Sequence, residues 1–245
     1  MGYIMQFSTS NTKLKKDGII SFNLPAGYSL SVQGLRDLNK ELVKRGKPKA
    51  FNDAYLKYRD ENSPEAQLIC RGAKGCLGLC YARQGTFKYI MSIVRRELNY
   101  MYFIMDDEGF KQRAIKKINN MKVDKIIRPH DSGDFFNQAY LDFWFDIMRA
   151  CPTKQFYAYT KSLDLDFSDQ PANFNITQSL GGKFDSMVDL KESHARIFSS
   201  DKARKQAGYK DGNKSDMLAV KGVQNIGLVY HGGRNLTEKQ MKEFN

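Results

Sequence analysis

One short loop combines two carboxylates with a histidine and a serine. It reads His130-Asp131-Ser132-Gly133-Asp134 and follows a short apolar run. Two carboxylates three residues apart on a glycine-containing turn suit acid–base or nucleophilic catalysis, because each can shift the pKa of the other. The pattern predicts Asp131 and Asp134 as catalytic, and His130, Ser132 and Gly133 as substrate-binding. The alternative is a helix N-cap made by Asp131 or Ser132, with Asp134 near the positive end of that helix.

Three cysteines lie within one glycine-rich segment. Cys70, Cys76 and Cys80 span eleven residues and are predicted metal ligands for zinc or an iron–sulfur cluster. Their spacing matches no standard zinc finger, so Cys151 or a histidine would have to complete a four-ligand site. A cluster held by three cysteines would leave one iron open for an adenosylmethionine-type cofactor and make the protein a radical enzyme. The alternative is a group of reduced, buried, metal-free thiols.

Several polar residues follow later predicted strands. Lys161 is suited to phosphate contact, and the glycine pair after Ser179 lacks the lysine of a P-loop, which disfavours nucleotide triphosphate hydrolysis. Asp185 and Asp201 are further candidate carboxylates. The substrate-binding residues predicted from these loops are Lys161, Ser179, Gly181, Gly182 and His231.

Strands that alternate with helical or looped segments must position these residues. Helical periodicity is present at 87–105, 110–121 and 140–150. Apolar runs predict strands at 19–24, 125–129, 155–159, 173–178, 195–198 and 225–230. This alternation predicts an α/β fold with mainly parallel strands, resembling a small or incomplete β/α barrel of the TIM type, with an open doubly wound sheet as the alternative. The polar strand ends would then form the rim of one cleft.

Positive charge is concentrated in the first half of the chain. The 245 residues have a net charge of +12; residues 1–125 contain 23 basic and 12 acidic side chains, whereas residues 126–245 contain 16 and 15. We predict a single domain, 1–245, with a basic N-terminal portion and a strand-rich, carboxylate-bearing portion. Two basic stretches, 36–59 and 111–125, contain most of the excess.

The first basic stretch also contains aromatic residues, Phe51, Tyr55 and Tyr58. Basic side chains interleaved with aromatic rings are typical of surfaces that bind nucleic acid. A solvated helix face that keeps the protein soluble is the alternative. No apolar stretch approaches the ~20 residues of a membrane span, and the N-terminus has no signal-peptide pattern. We therefore expect a cytoplasmic protein without a membrane partner; the pattern gives no oligomeric state.

Five segments spread over nearly the whole chain resemble the phage gene product 88 family. They are residues 8–13, 24–27, 76–82, 130–135 and 157–162. Within them, residues 131–135 are similar to the Asp-Ser-Gly-Gly-Phe-Gln segment of tRNA-guanine transglycosylases, whose aspartate and serine lie in the base pocket of a β/α barrel. The chain has Asp134 and Phe136 where that family has Gly and Gln, and it lacks that family's zinc-binding Cys-x-Cys-x-x-Cys near the C-terminus.

This second resemblance implies a function. The chain resembles the DpdA-like DNA transglycosylases of phages, which implies exchange of guanine in DNA for a 7-deazaguanine that protects the phage genome from restriction. The partners implied are DNA, with tRNA as the alternative, and the free deazaguanine base, in the host cytoplasm. Two alternatives remain open: an iron–sulfur radical enzyme that uses Cys70, Cys76 and Cys80, and a nucleic-acid-binding phage protein without catalysis.

Overall fold

The computed structural model describes residues 6–9 and 11–230. Within them, eight strands alternate with helices along the chain. The strands are β1 (Phe7–Ser8), β2 (Ile19–Phe22), β3 (Ile126–Pro129), β4 (Gln155–Thr160), β5 (Phe174–Ser179), β6 (His194–Phe198), β7 (Lys210–Asp211) and β8 (Ile226–Val229). The helices are α1 (Thr12–Lys16), α2 (Val32–Lys44), α3 (Asp53–Asn62), α4 (Cys76–Leu79), α5 (Ile90–Met105), α6 (Asp107–Asn119), α7 (Gln138–Arg149), α8 (Asp201–Gln206) and α9 (Met217–Val220). Short 3₁₀ turns occur at Tyr81–Arg83, Gly85–Lys88 and Asp185–Met187.

All eight strands form one sheet in the order β1-β2-β3-β4-β5-β6-β8-β7. Only the β1–β2 pairing is antiparallel. The predicted α/β class and mainly parallel pairing are therefore confirmed, and each of the six predicted strands is present.

The predicted TIM-type closure is not found in the described residues. A barrel closes when its first and last strands pair, whereas β1 pairs with β2 and β7 pairs with β8, which leaves both edges open. From β2 to β6 the strands follow chain order without the reversal that marks a doubly wound sheet. The result is an open sheet wound in one direction.

One face of the sheet carries most of the apolar core. Ile127, Phe156 and Phe174 belong to a buried cluster centred on Trp144 of α7, whose ring lies 5.4 Å from that of Phe22. Helices α5, α6 and α7 supply the other side of this cluster. Each buried large apolar side chain contributes about 1.5–3 kcal/mol, so this face provides most of the hydrophobic stabilisation.

The opposite face is covered less completely. Side chains alternate along a strand, so Tyr157 points away from Phe156 and packs against Leu14 of α1 and Ala219 of α9. These two helices are short, with five and four residues. Polar strand residues such as Arg128 share this face, and a cavity opens beside them.

Two of the three aromatic rings that the sequence suggested for a nucleic-acid surface are buried, and only Tyr58 is partly exposed. Phe51 and Tyr55 are 0% and 1% exposed in the core, so neither can stack on a base. They are buried because the aromatic positions of the 36–59 stretch pack α3 against the core. The stretch at 111–125 ends next to the start of β3, on the side of the sheet where the parallel strands begin, which is opposite their carboxyl ends.

Candidate functional site

A cavity of about 730 Å³ lies at the carboxyl ends of the parallel strands. Both motifs singled out in the sequence line it. The thiols of Cys70, Cys76 and Cys80 and the carboxylates of Asp131, Asp134 and Asp216 contribute to its wall. Loops after β2, β3, β4 and β5 therefore meet in one place, as parallel strands dictate.

The aspartate loop is held by close backbone packing after β3. His130 and Gly133 adopt left-handed conformations, with φ of 69° and 89°. A Cβ on Gly133 would lie 2.6 Å from Cβ of Leu24, so glycine is required for this approach. The Leu24 amide donates to the carbonyl oxygen of Ser132 at 2.9 Å, and the Ser132 hydroxyl donates back to the Leu24 carbonyl at 2.8 Å. Ser132 and Gly133 thus shape the loop.

Asp131 is buried among donors from three separate elements. Its carboxylate accepts from the Tyr81 hydroxyl at 3.1 Å and from the Asn11 side chain at 3.1 Å. Arg128 forms an ion pair with it at 3.3 Å. The Tyr81 hydroxyl also donates to the Asp131 carbonyl oxygen. The carboxylate is therefore held in one orientation at the cavity wall.

Asp134 joins the aspartate loop to the end of β4. Its two oxygens accept from the Thr160 hydroxyl at 2.6 Å, the Lys161 amide at 2.9 Å and the Phe135 amide at 2.8 Å. Burial raises the pKa of Asp134, and these hydrogen bonds oppose the increase. The carboxylate lines the cavity, but its acceptor positions are taken by donors that fix the loop.

Arg128 lies between two carboxylates on the cavity side of the sheet. It pairs with Asp216 at 2.8 Å as well as with Asp131. Asp216 also accepts from the Tyr157 hydroxyl at 2.7 Å and pairs with Lys13 at 2.6 Å. Burial alone would raise the pKa of Asp216, but Arg128 and Lys13 outweigh it and hold the pKa below its usual value.

His130 lines the cavity as a neutral imidazole. Its Nε2 lies 3.0 Å from the Tyr140 hydroxyl, whereas Nδ1 has no hydrogen-bond partner among the described residues. Burial, assisted by the charge of Arg128, lowers the pKa of His130 to about 3. The imidazole is therefore neutral at neutral pH, and its Nδ1 is buried without a hydrogen-bond partner among the described residues.

The cysteine segment is fastened to the loops around it. The Gly27 amide donates to Sγ of Cys70 at 3.3 Å. Ala73 forms an isolated antiparallel bridge with Gly182, and the Lys183 amide donates to the Gly72 carbonyl at 2.8 Å. These contacts place the segment across the ends of β4 and β5.

The three thiols of this segment are partly buried in the cavity wall. Burial raises the pKa of Cys70, and the neighbouring Asp134, Cys80 and Cys76 add to the shift. Burial also raises the pKa of Cys80. Cys151 does not line the cavity; it is buried in the main core, 4.0 Å from the Ile115 carbonyl. It therefore cannot serve as a fourth ligand in this arrangement.

Lys161 extends into the cavity from the end of β4. Its ammonium donates to the carbonyl oxygens of Ser179, at 3.1 Å, and Leu180. Burial lowers its pKa, and the nearby Cys76, Asp185 and Asp134 oppose the decrease. No described carboxylate forms an ion pair with this cation. Lys161 is thus a buried positive charge beside the cysteine segment.

The remaining predicted residues divide into two groups. Ser179 lines the cavity, whereas Gly181 and Gly182 do not. Their amides instead donate to Asp185 at 2.9 and 2.7 Å, which makes this carboxylate a loop anchor. Asp201 lies on the surface of α8, paired with Arg204 and Lys205. His231 lies outside the described residues.

Comparison with known proteins identifies the family. The model of the family described as Gene product 88 matches residues 6–231. The chain belongs to the Gene product 88 family. The Gene 88 protein of Mycobacterium phage L5 is 25% identical over 66% of this chain and 77% of its own length. That of Mycobacterium phage D29 is 26% identical over 44% of this chain, and the match spans only about half, 54%, of the phage protein. No solved structure matches the chain.

Several site residues of this Gene product 88 protein were not anticipated. Arg96 of α5 donates to the carbonyl oxygens of Ala82 and Phe87 at 2.9 and 2.7 Å, and to Oγ of Ser132 at 3.3 Å. It therefore joins the cysteine segment to the aspartate loop. Arg128, an arginine inside an apolar strand, was the clearest signal available, because a charge in such a run needs a buried partner. The site residues missed by sequence reasoning are Asn11, Lys13, Tyr81, Arg96, Arg128 and Asp216.

Proposed function

We propose that this Gene product 88 protein is an enzyme that holds an iron–sulfur cluster on Cys70, Cys76 and Cys80. One observation supports this most strongly. The three thiols line the same cavity as Asp131 and Lys161. A purely structural role for the thiols would not require that all three face the cavity, and Cys151 shows the alternative of full burial in the core.

The number and type of the side chains support such a group. In the described part of the chain, no three His, Cys, Asp or Glu side chains converge as the ligands of a single metal ion do. A [4Fe–4S] cluster makes a different demand, because each thiolate binds a separate iron atom. Three cysteines leave the fourth iron without a protein ligand. The proposed cofactor is therefore a cluster with one open position.

When bound, such a cluster would supply one electron to an adenosylmethionine-type cofactor and initiate radical chemistry. The protein's own residues would bind and orient the reactants. Lys161 places a buried positive charge beside Cys76, which would offset the negative charge of the thiolates. The ion pair with Arg128 fixes the Asp131 carboxylate at the cavity wall, where it would orient a reactant.

Anaerobic reconstitution with iron and sulfide tests this proposal. The wild-type protein should bind about four irons per chain and absorb near ~400 nm. Cys70→Ser, Cys76→Ser and Cys80→Ser should each lose most of this absorbance. Cys151→Ser is the matched control, because it removes a thiol from the core, and it should retain the absorbance. A colourless wild-type protein after reconstitution would overturn the proposal.

Guanine exchange in DNA is the second candidate function, favoured by the position of Asp131 and Asp134 in the cavity wall. An oxygen of Asp131 would bond to the anomeric carbon as the glycosidic C–N bond breaks, and the leaving guanine would take a proton from solvent at its ring nitrogen. The ring nitrogen of a 7-deazaguanine would then displace the carboxylate and lose its proton to solvent. Asp134 serves this reaction by positioning, since its oxygens already accept three hydrogen bonds.

Release of labelled guanine from DNA, or from tRNA, in the presence of a deazaguanine distinguishes this candidate from the first. The exchange should occur in protein that contains no iron and should stop in Asp131→Ala. Asp169→Ala, which removes an exposed carboxylate outside the cavity, is the control. Exchange that survives Asp131→Ala, or no exchange at all, would contradict it.

A further inference from the structure

The exposed margin of the cysteine segment has a different electrostatic character from the rest of the surface. Residues 66–96 contain no Asp or Glu and six basic side chains. Two of these six are engaged in the fold: Arg71 pairs with Asp164, and Arg96 is buried. The exposed cations are next in the chain to residues that line the cavity, Ala73, Ala82 and Phe87, and Lys183 lies near them because its amide donates to the Gly72 carbonyl. We define the cysteine-loop rim as Lys74, Tyr81, Arg83, Lys88, Tyr89 and Lys183.

The cations of this rim are not neutralised. Lys74, Arg83, Lys88 and Lys183 are exposed, and none forms an ion pair with a described residue. Asp185, two residues beyond Lys183, is occupied by the amides of Gly181 and Gly182. In the first basic stretch, Arg36, Lys40 and Arg45 pair with Asp60, Asp37 and Glu41, whereas Lys44, Lys47 and Lys49 are exposed without an ion pair among the described residues. The rim therefore has four positive charges available to a polyanion, and unlike that stretch it lies next to the cysteine segment.

Two aromatic rings lie among these cations. Tyr81 is 53% exposed although its hydroxyl is buried against Asp131. Its ring edge packs on Phe87 at 5.7 Å, and Phe87 in turn lies over the Arg96 guanidinium. Tyr89 is 65% exposed. A ring fixed at its hydroxyl and its edge, with a face open to solvent, can stack on a base with little loss of conformational entropy.

We propose that single-stranded nucleic acid binds across the cysteine-loop rim, with phosphates on the four cations and bases stacked on Tyr81 and Tyr89. The stack on Tyr81 would place a nucleotide at the cavity mouth, next to Asp131. This inference names the substrate class of the proposed function. Only the role of the bound strand as a substrate rests on that function. The binding itself requires neither the cluster nor catalysis.

Fluorescence anisotropy with a labelled 20-nucleotide oligothymidylate tests the surface. In the rim variant, Lys74, Arg83, Lys88 and Lys183 are all changed to Gln. It should bind at least tenfold more weakly than wild type. The slope of log affinity against log salt should fall by about 3, since each phosphate contact on a single strand contributes about 0.7.

The matched control removes four charges from the first basic stretch, Lys40, Lys44, Lys47 and Lys49, again by Gln. This basic-stretch variant has the same net charge as the rim variant and should bind within about twofold of wild type. Equal losses in the two variants, or no loss in the rim variant, would overturn the proposal. An oligouridylate measured in parallel shows whether the site prefers DNA or RNA. Tighter binding of a blunt duplex than of either single strand would also overturn it.

Stacking is tested separately from charge. Tyr89→Ala should lose about tenfold in affinity for the oligonucleotide while Tyr89→Phe retains it. Tyr58→Ala, in the stretch suggested by the sequence, should have no effect. Cluster absorbance should be unchanged in the rim variant, and oligonucleotide binding should be unchanged in Cys76→Ser. Oligonucleotide binding thus tests the cysteine-loop rim and absorbance tests the proposed cluster, so either proposal can fail without the other.

Discussion

Gly72 lies directly against the backbone of Lys161. Any side chain at position 72 would place its Cβ inside the van der Waals surface of the Lys161 carbonyl. The Gly72 carbonyl in turn accepts from Lys183 on the neighbouring loop. The close approach of the cysteine segment to the ends of β4 and β5 therefore requires glycine at position 72.

Replacing Gly72 with Ala should displace the cysteine segment. The atom in the way is backbone, so the loop must move as a whole, at a cost of about 1–3 kcal/mol. Thiol titration of the native protein should show faster reaction at Cys70, and reconstitution should yield less cluster absorbance. Gly78→Ala is the control, because a Cβ there meets nothing within 4 Å and it should behave as wild type. Wild-type thiol reactivity in Gly72→Ala would contradict this account.

Arg96→Met should destabilise the protein by about 3 kcal/mol. The substitution keeps much of the apolar stem but leaves the Ala82 and Phe87 carbonyls without their donor, and each unpaired buried group costs about 1–3 kcal/mol. Urea denaturation measures the change. Arg95→Met removes the same charge from the adjacent position and should cost less than about 0.5 kcal/mol. If both variants lose equal stability, the hydrogen bonds from Arg96 to the Ala82 and Phe87 carbonyls do not stabilise the protein as described.

The alternation of strands and helices was predictable because it depends on local patterns. Apolar runs and helical periodicity located β2 to β6, β8 and the three helices α5, α6 and α7. Closure was not predictable, since it depends on whether the first and last strands meet. The meeting of the loops after β3 and β4 at one cavity was predictable, because parallel strands place their carboxyl ends together.

Sequence patterns failed where a role depends on contacts between distant residues. The oxygens of Asp134, which the sequence predicts as catalytic, accept from Thr160 and Lys161, and no local pattern indicated these contacts. Phe51 and Tyr55 look like stacking residues until the packing of α3 buries them. The converse holds for Tyr81, which no pattern distinguished and which the fold places with its hydroxyl on Asp131.

Glu97 should make the protein less stable as the pH rises from 5 to 8. Its side chain is buried on α5, and only one carboxylate oxygen has a partner, the Leu30 amide at 2.9 Å. Burial raises its pKa to about 7. The unfolded chain loses this proton near its ordinary pKa, whereas the folded protein keeps it to about pH 7. Stability therefore falls as the pH rises between these two pKa values and levels off above pH 7, and the expected loss from pH 5 to 8 is about 2–3 kcal/mol.

Urea denaturation across this pH range measures the slope. In Glu97→Gln the decrease between pH 5 and 8 should largely disappear, whatever the absolute stability of the variant. Glu61→Gln, at an exposed position on α3, should retain the wild-type slope. An unchanged slope in Glu97→Gln would show that another group causes the pH dependence.

Substitutions at Tyr81 should separate binding of a nucleic-acid strand from orientation of the Asp131 carboxylate, because the Tyr81 ring and hydroxyl have different partners. Tyr81→Phe keeps the exposed ring but removes the hydrogen bonds to Asp131. Oligonucleotide affinity should stay within about twofold of wild type, while turnover in the proposed reaction should fall by at least tenfold. Tyr81→Leu removes the ring as well and should also lose about tenfold in affinity, a typical value for one stacked base. If Tyr81→Phe binds as weakly as Tyr81→Leu, then the hydroxyl and not the ring is the source of affinity, and no base stacks on Tyr81.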